Sequence, residues 1–161
     1  MKNHSAKFVA YSAMIAAAYV VLTLVFAPIS YGEIQVRISE ALCVLPYFTP
    51  AAVPGLFVGC LLANILGGGI LPDIIFGSLA TLIGAFGTYK LRKQKWLAPV
   101  SPIISNTIIV PLVLRYGYGV NLPLPFLVLS IFGGEFLSCG VLGMALLFVL
   151  SHYKSSIFQT V

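Results

Sequence analysis

Four acidic residues, Glu33, Glu40, Asp73 and Glu135, are all the carboxylate side chains in a sequence of 161 residues. In an apolar setting a carboxylate can accept a pair of adjacent N–H donors or neutralise a cation. Complementary groups lie in the same segments. Arg37 brings a rigid fork of N–H donors, and Gln35, Asn64 and Asn106 bring amides that both donate and accept. Such a set suits capture of a small polar ligand. It does not suit covalent catalysis. His4 and His152 lie near the two chain ends, so no Ser/His/Asp set can be built, and no Gly-x-x-x-x-Gly-Lys-Ser/Thr loop is present to hold a nucleotide. Cys43, Cys60 and Cys139 fall in separate apolar segments without Cys-x-x-Cys spacing and read as buried free thiols, not metal ligands. No enzymatic activity, cofactor or metal is expected.

The rest of the composition says where these residues must sit. The chain is 60% hydrophobic and 8% charged, with a mean hydropathy of +1.04. A soluble domain of this length could not hide so much apolar surface, so residues 1–161 read as one integral membrane domain. The net charge of +5 reports orientation in the bilayer and not nucleic-acid binding. The first apolar segment, from Phe8, is long and lacks a small-residue cleavage site, so it reads as a retained helix and not a signal peptide.

Apolar runs, prolines and glycines divide the chain into six predicted transmembrane helices, about 8–27, 39–48, 51–66, 72–91, 97–114 and 124–150. Pro28 ends the first. The second is short, with Pro46 inside it. Gly67-Gly68-Gly69 stops the third, and Pro72 opens the fourth just before Asp73. With six crossings and both termini cytoplasmic, Lys2, Lys7, Lys90, Arg92, Lys93, Lys95 and Lys154 all fall inside, leaving only Arg37 and Arg115 outside. The same topology puts Glu33, Glu40 and Asp73 on the outer side. Glu135 lies roughly 16 Å into the last helix at 1.5 Å per residue. Asn64 and Asn106 fall in the outer half or near mid-membrane, so the polar groups converge on an outward-facing zone.

Between helices one and two, Glu33, Gln35, Arg37 and Ser39 alternate with Ile34, Val36 and Ile38. That period of two predicts a strand-like cover with one polar and one apolar face, after which Ser39 offers a helix N-cap. A charged residue inside a membrane costs at least ~2.5 kcal/mol, and so marks an interior face or a pathway. Glu135 is the clearest example, with Gly133 and Gly134 beside it allowing close approach of a ligand or a helix. Tyr31, Phe76, Tyr116 and Tyr118 flank the zone as stacking partners or interfacial anchors. On helix one, Ala6, Ala10, Ala13 and Ala17 share one face, a strip that lets another helix approach, from this chain or from another subunit.

Three stretches carry a resemblance. Gln35-Val36-Arg37-Ile38-Ser39-Glu40-Ala41-Leu42, Gly59-Cys60-Leu61-Leu62-Ala63-Asn64-Ile65, and Asp73-Ile74-Ile75-Phe76-Gly77-Ser78-Leu79-Ala80-Thr81 resemble the signature of the QueT-type queuosine-precursor transporters. The resemblance implies a substrate-binding component of a prokaryotic energy-coupling factor importer in the plasma membrane. It implies as partners a transmembrane coupling subunit, docked on the helix-one face at Ala13 and Ala17, and two cytoplasmic ATPases. The implied ligand is a 7-deazaguanine such as preQ1, preQ0 or queuine. On this reading Glu135 or Glu40 takes the N–H edge of the base, and Asn64 or Asn106 donates to its carbonyl. Asp73 or Glu33 faces the substituent, and Arg37 orders the cover. The competing readings are a component of the same kind for another nutrient, or a membrane scaffold whose polar groups only join helices.

Overall fold

The computed structural model describes residues 2–31 and 35–153, with side chains from Ser5 onward. Among these residues the fold is all-helical. Helix α1 (Lys2–Val25) has 24 residues, about 36 Å at 1.5 Å per residue. A one-turn helix α2 (Ala27–Ser30) follows, with Pro28 in its first turn. A 3-10 helix (Ile38–Tyr47) contains Pro46, and α3 (Ala52–Leu66) ends at Gly67. A π turn (Asp73–Gly77) runs directly into α4 (Ser78–Lys90). α5 (Val100–Leu112) continues into a second π turn (Val113–Gly117). α6 (Leu124–Glu135) passes through a third π segment (Phe136–Gly143) into α7 (Met144–His152) without a break.

Among the described residues three stretches are long and apolar enough to cross a bilayer: Ser5–Val25, Lys95–Gly117 and Leu124–His152. Ile38–Tyr47 and Ala52–Leu66 are apolar but have only 10 and 15 residues. At about 2.0 and 1.5 Å per residue each reaches roughly 20 Å, short of a ~30 Å hydrocarbon core. Lys154 of the orientation argument lies outside the described residues.

Polar and apolar residues are distributed in the reverse of a soluble protein. Val9, Met14, Leu66, Leu71 and Leu129 are exposed, whereas Arg37, Glu40, Asn64, Asp73, Asn106 and Glu135 are buried. Acyl chains are as apolar as leucine, so the helices gain little from burying large apolar side chains. They are held by close packing and interhelical hydrogen bonds. α1 and α3 show both. A Cβ on Gly55 would stand 2.7 Å from the Ser12 carbonyl oxygen, and one on Gly59 would stand 2.8 Å from the Tyr19 Cβ. The Ser12 hydroxyl, on the same face, donates across to the Ala51 carbonyl at 2.8 Å. This packing uses Ser12, Ala16 and Tyr19 of α1. Ala6, Ala10, Ala13 and Ala17 point away from it and are exposed, so the alanine strip does not pack within the chain.

The strand expected between helices one and two is not formed: no strand occurs among the described residues. Gln35–Arg37 is extended but has no strand among the described residues to pair with; Val36 N–H donates to the Ile29 carbonyl at 2.9 Å, and the Arg37 carbonyl accepts from Glu40 N–H at 3.0 Å. The two-faced character survives. Gln35, Arg37 and Ser39 are buried, while Val36 and Ile38 are half-buried. Ser39 is not an N-cap either. It lies within the first turn of the 3-10 helix, where its hydroxyl accepts a hydrogen bond from Thr23 at 2.7 Å. The extended segment rests on α6, where a Cβ on Gly134 would fall on the Gln35 carbonyl oxygen, whereas Gly133 faces open space.

Gly134→Ala should therefore cost about 1–3 kcal/mol, from the overpacking it forces. It should appear as a lower melting temperature in detergent and faster labelling of a cysteine placed at Val36. Gly133→Ala should stay within about 0.5 kcal/mol of the parent protein.

Candidate functional site

The extended segment closes a small polar cavity. Gln35 and Arg37 form one side of it, Asn106 and Val110 of α5 a second, and Ile131 and Glu135 of α6 a third. Each helix contributes residues one turn apart, so both present a polar and an apolar group to the same space. The volume is about 10 Å³, room for about one water. Glu135 Oε1 accepts a hydrogen bond from Asn106 Nδ2 at 3.0 Å. Glu135 Oε2 and Arg37 Nη2 are both buried with no hydrogen-bond partner. Each such group costs about 1–3 kcal/mol, more when charged, and in a native fold it calls for an explanation. One is a carboxyl oxygen that can accept, and the other a guanidinium N–H that can donate.

Arg37 links this cavity to a second polar group. Its Nη2 lies 3.7 Å from Asp73 Oδ2, its Nε donates to the Ser30 carbonyl at 3.4 Å, and its guanidinium lies 5.5 Å from the centre of the Tyr31 ring. Burial works against a charged guanidinium, but the surrounding negative groups, Asp73 foremost, more than offset it and raise the Arg37 pKa above its ordinary value. Asp73 Oδ2 also accepts from the Tyr118 hydroxyl at 3.0 Å. Burial, and after it the Asp73 carboxylate, push the Tyr118 phenol above its usual pKa, so it stays protonated as the donor. Asn64 Nδ2 donates to the Asp73 carbonyl at 3.2 Å, while its Oδ1 is buried without a partner. Gly77 makes room for both: a Cβ there would stand 2.9 Å from Asp73 Oδ1 and 3.2 Å from Asn64 Nδ2.

Glu40 sits apart from the cavity. It is fully buried, accepts from the Tyr19 hydroxyl through one oxygen, and accepts from the Cys43 thiol at 2.8 Å through the other. Each of its oxygens thus has a donor of its own within this local network.

The residues singled out in the sequence thus divide into groups. Gln35, Arg37, Asn106 and Glu135 line the cavity, and Asn64 and Asp73 adjoin it through Arg37. Glu40 belongs to a separate network, and Glu33 lies outside the described residues. Of the four aromatic residues, Tyr31 and Tyr118 touch the site, whereas Phe76 and Tyr116 are exposed. Three residues escaped the sequence reading: Tyr19, Gly77 and Ser138. Ser138 is fully buried with an unpartnered hydroxyl, and its signal was its place one turn beyond Glu135. Asp73 opens one π turn and Glu135 directly precedes another. These wide turns are frequent at functional sites and left no mark in the apolar pattern.

The family described as QueT transporter matches residues 9–152. The chain is also similar to the queuosine precursor transporter QueT of Lactococcus lactis subsp. cremoris (strain MG1363), with 38% identity over 73 residues. That alignment takes in 44% of this chain and 43% of the relative, so it spans less than half of either protein. No solved structure matches the chain. The family match runs from the first turns of α1 to the end of α7, through every site residue described above, and on it the chain belongs to the QueT transporter family.

Proposed function

We propose that the protein is the substrate-binding component of an energy-coupling factor importer, and that it captures a queuosine precursor, a 7-deazaguanine such as preQ1, preQ0 or queuine, from outside the cell. The observation that carries this reading is the pair of unpartnered buried atoms, Glu135 Oε2 and Arg37 Nη2, at one cavity. A guanine-like base presents adjacent N–H donors followed by a carbonyl. Glu135 accepts from the N–H edge, and Arg37 donates to the carbonyl. Asn64 does not suit the donor role, because its amide N–H groups go to the Asp73 carbonyl and the Cys60 sulfur, whereas Asn106 keeps a second N–H beside the one it gives to Glu135. Glu40, with a donor from Tyr19 or Cys43 on each oxygen, takes no part in the cavity lining.

The cavity of about 10 Å³ is far below the ~300 Å³ of a small ligand pocket, so this form is closed. Binding requires the segment carrying Gln35 and Arg37 to lift and reseat over the base. Energy comes from elsewhere, since the chain has no nucleotide-binding loop. The exposed alanine strip, with Ala13 and Ala17 at its centre, is the docking face for a coupling subunit that carries two ATPases. If the chain crosses six times with its short helices dipping through a thinned part of the protein–lipid boundary, the positive-inside rule puts Lys7, Lys90, Arg92, Lys93 and Lys95 on the cytoplasmic side.

Titration of the purified protein with a 7-deazaguanine should give saturable binding and thermal stabilisation. Glu135→Gln should weaken that binding by about tenfold or more, the worth of a hydrogen bond to a charged group. If no 7-deazaguanine binds the parent protein, or if Glu135→Gln and Glu40→Gln both bind as well as it does, the assignment fails. Ala13→Trp with Ala17→Trp should leave ligand affinity unchanged while abolishing uptake and co-purification with the coupling subunit. An impermeant thiol reagent should label a cysteine at Lys93 in inverted vesicles and not in intact cells.

A further inference from the structure

Two apolar grooves run along the lipid-facing side of α5, and Ile109 lines both. One, of about 370 Å³, lies between α4 and α5 and is walled by Ile83, Leu91, Val100, Ile104 and Ile108. That volume falls within the ~300–1,000 Å³ of ligand sites. The other, of about 430 Å³, is walled chiefly by Phe76, Leu112 and Tyr116. The first groove flanks a tight helix contact. A Cβ on Gly84 would stand 2.7 Å from Pro102 Cα, and one on Gly87 would fall on the Ser101 hydroxyl. Ile83, Ile104 and Ile108 stand exposed beside that contact.

The two grooves differ at their ends. Lys95–Gly117 is long and apolar enough to cross the bilayer, so its Lys95 end lies at a membrane surface. The first groove opens toward that end. Leu91 in its wall sits between Lys90 and Arg92, and Lys93 and Lys95 follow, four cations in six positions. All four are exposed, and none of the described carboxyl groups pairs with them. Lys90 follows Ile83 by seven residues, two helical turns, and so lies on the groove face of α4. Its ammonium is 5.3 Å from the centre of the exposed Phe86 ring. From Val100 to Ile109 the groove runs about 14 Å at 1.5 Å per residue, close to half of a ~30 Å hydrocarbon core. It is therefore one leaflet deep. The cation beside the second groove is Arg115, and its Nη1 is spent on the Val120 and Leu122 carbonyls, both at 3.1 Å.

An apolar furrow of leaflet depth with unpaired cations at its mouth matches a lipid that carries negative charge. We propose that the groove between α4 and α5 is a specific seat for an anionic phospholipid. One acyl chain lies along Ile104 and Ile108, and Lys90, Arg92 and Lys93 hold the phosphate. A zwitterionic lipid is a poorer fit, because its head brings a fixed positive charge to the same cations. A second copy of this chain is a poorer fit as well. Packed here about a two-fold axis, it would set the two basic turns against each other. The seat shares no lining residue with the Glu135 cavity and needs no particular substrate there.

Trp96 is the one tryptophan of the chain, so in a Trp96→Phe background a tryptophan placed elsewhere reports contact with brominated lipid by its quenching. Ile104→Trp reads the groove with the basic end, and Tyr116→Trp reads the other. The full chain is reconstituted in vesicles of phosphatidylcholine and phosphatidylglycerol, with either lipid brominated, and competition gives their relative affinity at each tryptophan. At Ile104→Trp, phosphatidylglycerol is expected to bind at least ~5-fold more tightly, the worth of about one cation near an anionic surface. At Tyr116→Trp the two lipids should compete equally. Lys90→Gln, Arg92→Gln and Lys93→Gln combined should abolish the preference at Ile104→Trp and leave Tyr116→Trp unchanged. Ile108→Trp is the second reporter should Ile104→Trp fail to fold. Equal competition at the first groove, the same preference at both grooves, or a preference that survives the three Gln changes overturns the seat. Absence of quenching by either lipid at the first groove also overturns it, since protein then covers the groove.

Discussion

Arg37 is the one buried cation among the described residues, and the arrangement of the polar interior follows from keeping it charged out of water. Removing one partner of such a pair costs about 3–5 kcal/mol, because the other charge is left buried and alone. Arg37 draws in three groups to avoid that: Asp73 from the π turn before α4, and the Ser30 carbonyl and the Tyr31 ring from the end of α2. Asp73 in turn recruits Tyr118 from beyond α5, and its backbone carbonyl recruits Asn64 from α3. One guanidinium thereby ties the extended segment to the ends of several helices. The tie is loose at one point. Nη2 stands 3.7 Å from Asp73 and makes no hydrogen bond, so the segment is positioned by charge without being locked.

The membrane makes this design workable. In water, polar groups such as Asn64, Asp73 and Glu135 would have no reason to hide. In a bilayer their only relief is one another, so the helices turn polar faces inward and apolar faces out. Close backbone approach then matters more than bulky apolar packing, and the places where a side chain would obstruct it are glycines. Gly55 and Gly59 bring α3 onto α1, and Gly134 lets the extended segment lie on α6. The face of α1 that makes these contacts is not the alanine face, which is left outward with no use inside the chain.

Much of the helix layout was legible because its signals are local. Pro28, Pro46, Pro72 and Gly67-Gly68-Gly69 mark turns and boundaries by fixed backbone chemistry, and the helix limits fall within a few residues of them. The error over the strand has a specific cause. Alternation in Gln35, Val36, Arg37 and Ile38 records that an extended chain has two environments, but a strand also needs a partner, and pairing is not a local property. The carboxyl groups show the same limit. The sequence gathers Glu40, Asp73 and Glu135 into one zone, yet what each can do depends on its nearest donors. Tyr19, which engages Glu40, lies 21 residues upstream of it, and Asn106, which engages Glu135, lies 29 residues before it. Only the fold separates an engaged carboxyl from one with an oxygen to spare.

That difference bears on how capture and closure are linked. A ligand can shift a conformational equilibrium only by binding one state better than the other. Glu135 sits on a helix wall and Arg37 on the extended segment, so in the proposed reading Glu135 offers its free oxygen whether or not the cover is seated, and Arg37 reaches the cavity only when it is closed. In the proposed reading a base bound to Glu135 alone leaves the equilibrium where it was. A base that also engages Arg37 Nη2 supplies the hydrogen bond that the closed form lacks, and so stabilises closure by the worth of that bond, about 1.5–3 kcal/mol for a charged donor. This is roughly a 10- to 100-fold shift toward the closed form. The loosely held guanidinium is therefore not a defect of the fold. A cover already satisfied by Asp73 would stay shut with or without cargo, and a cover whose cation still lacks a partner is one that the ligand itself can fasten.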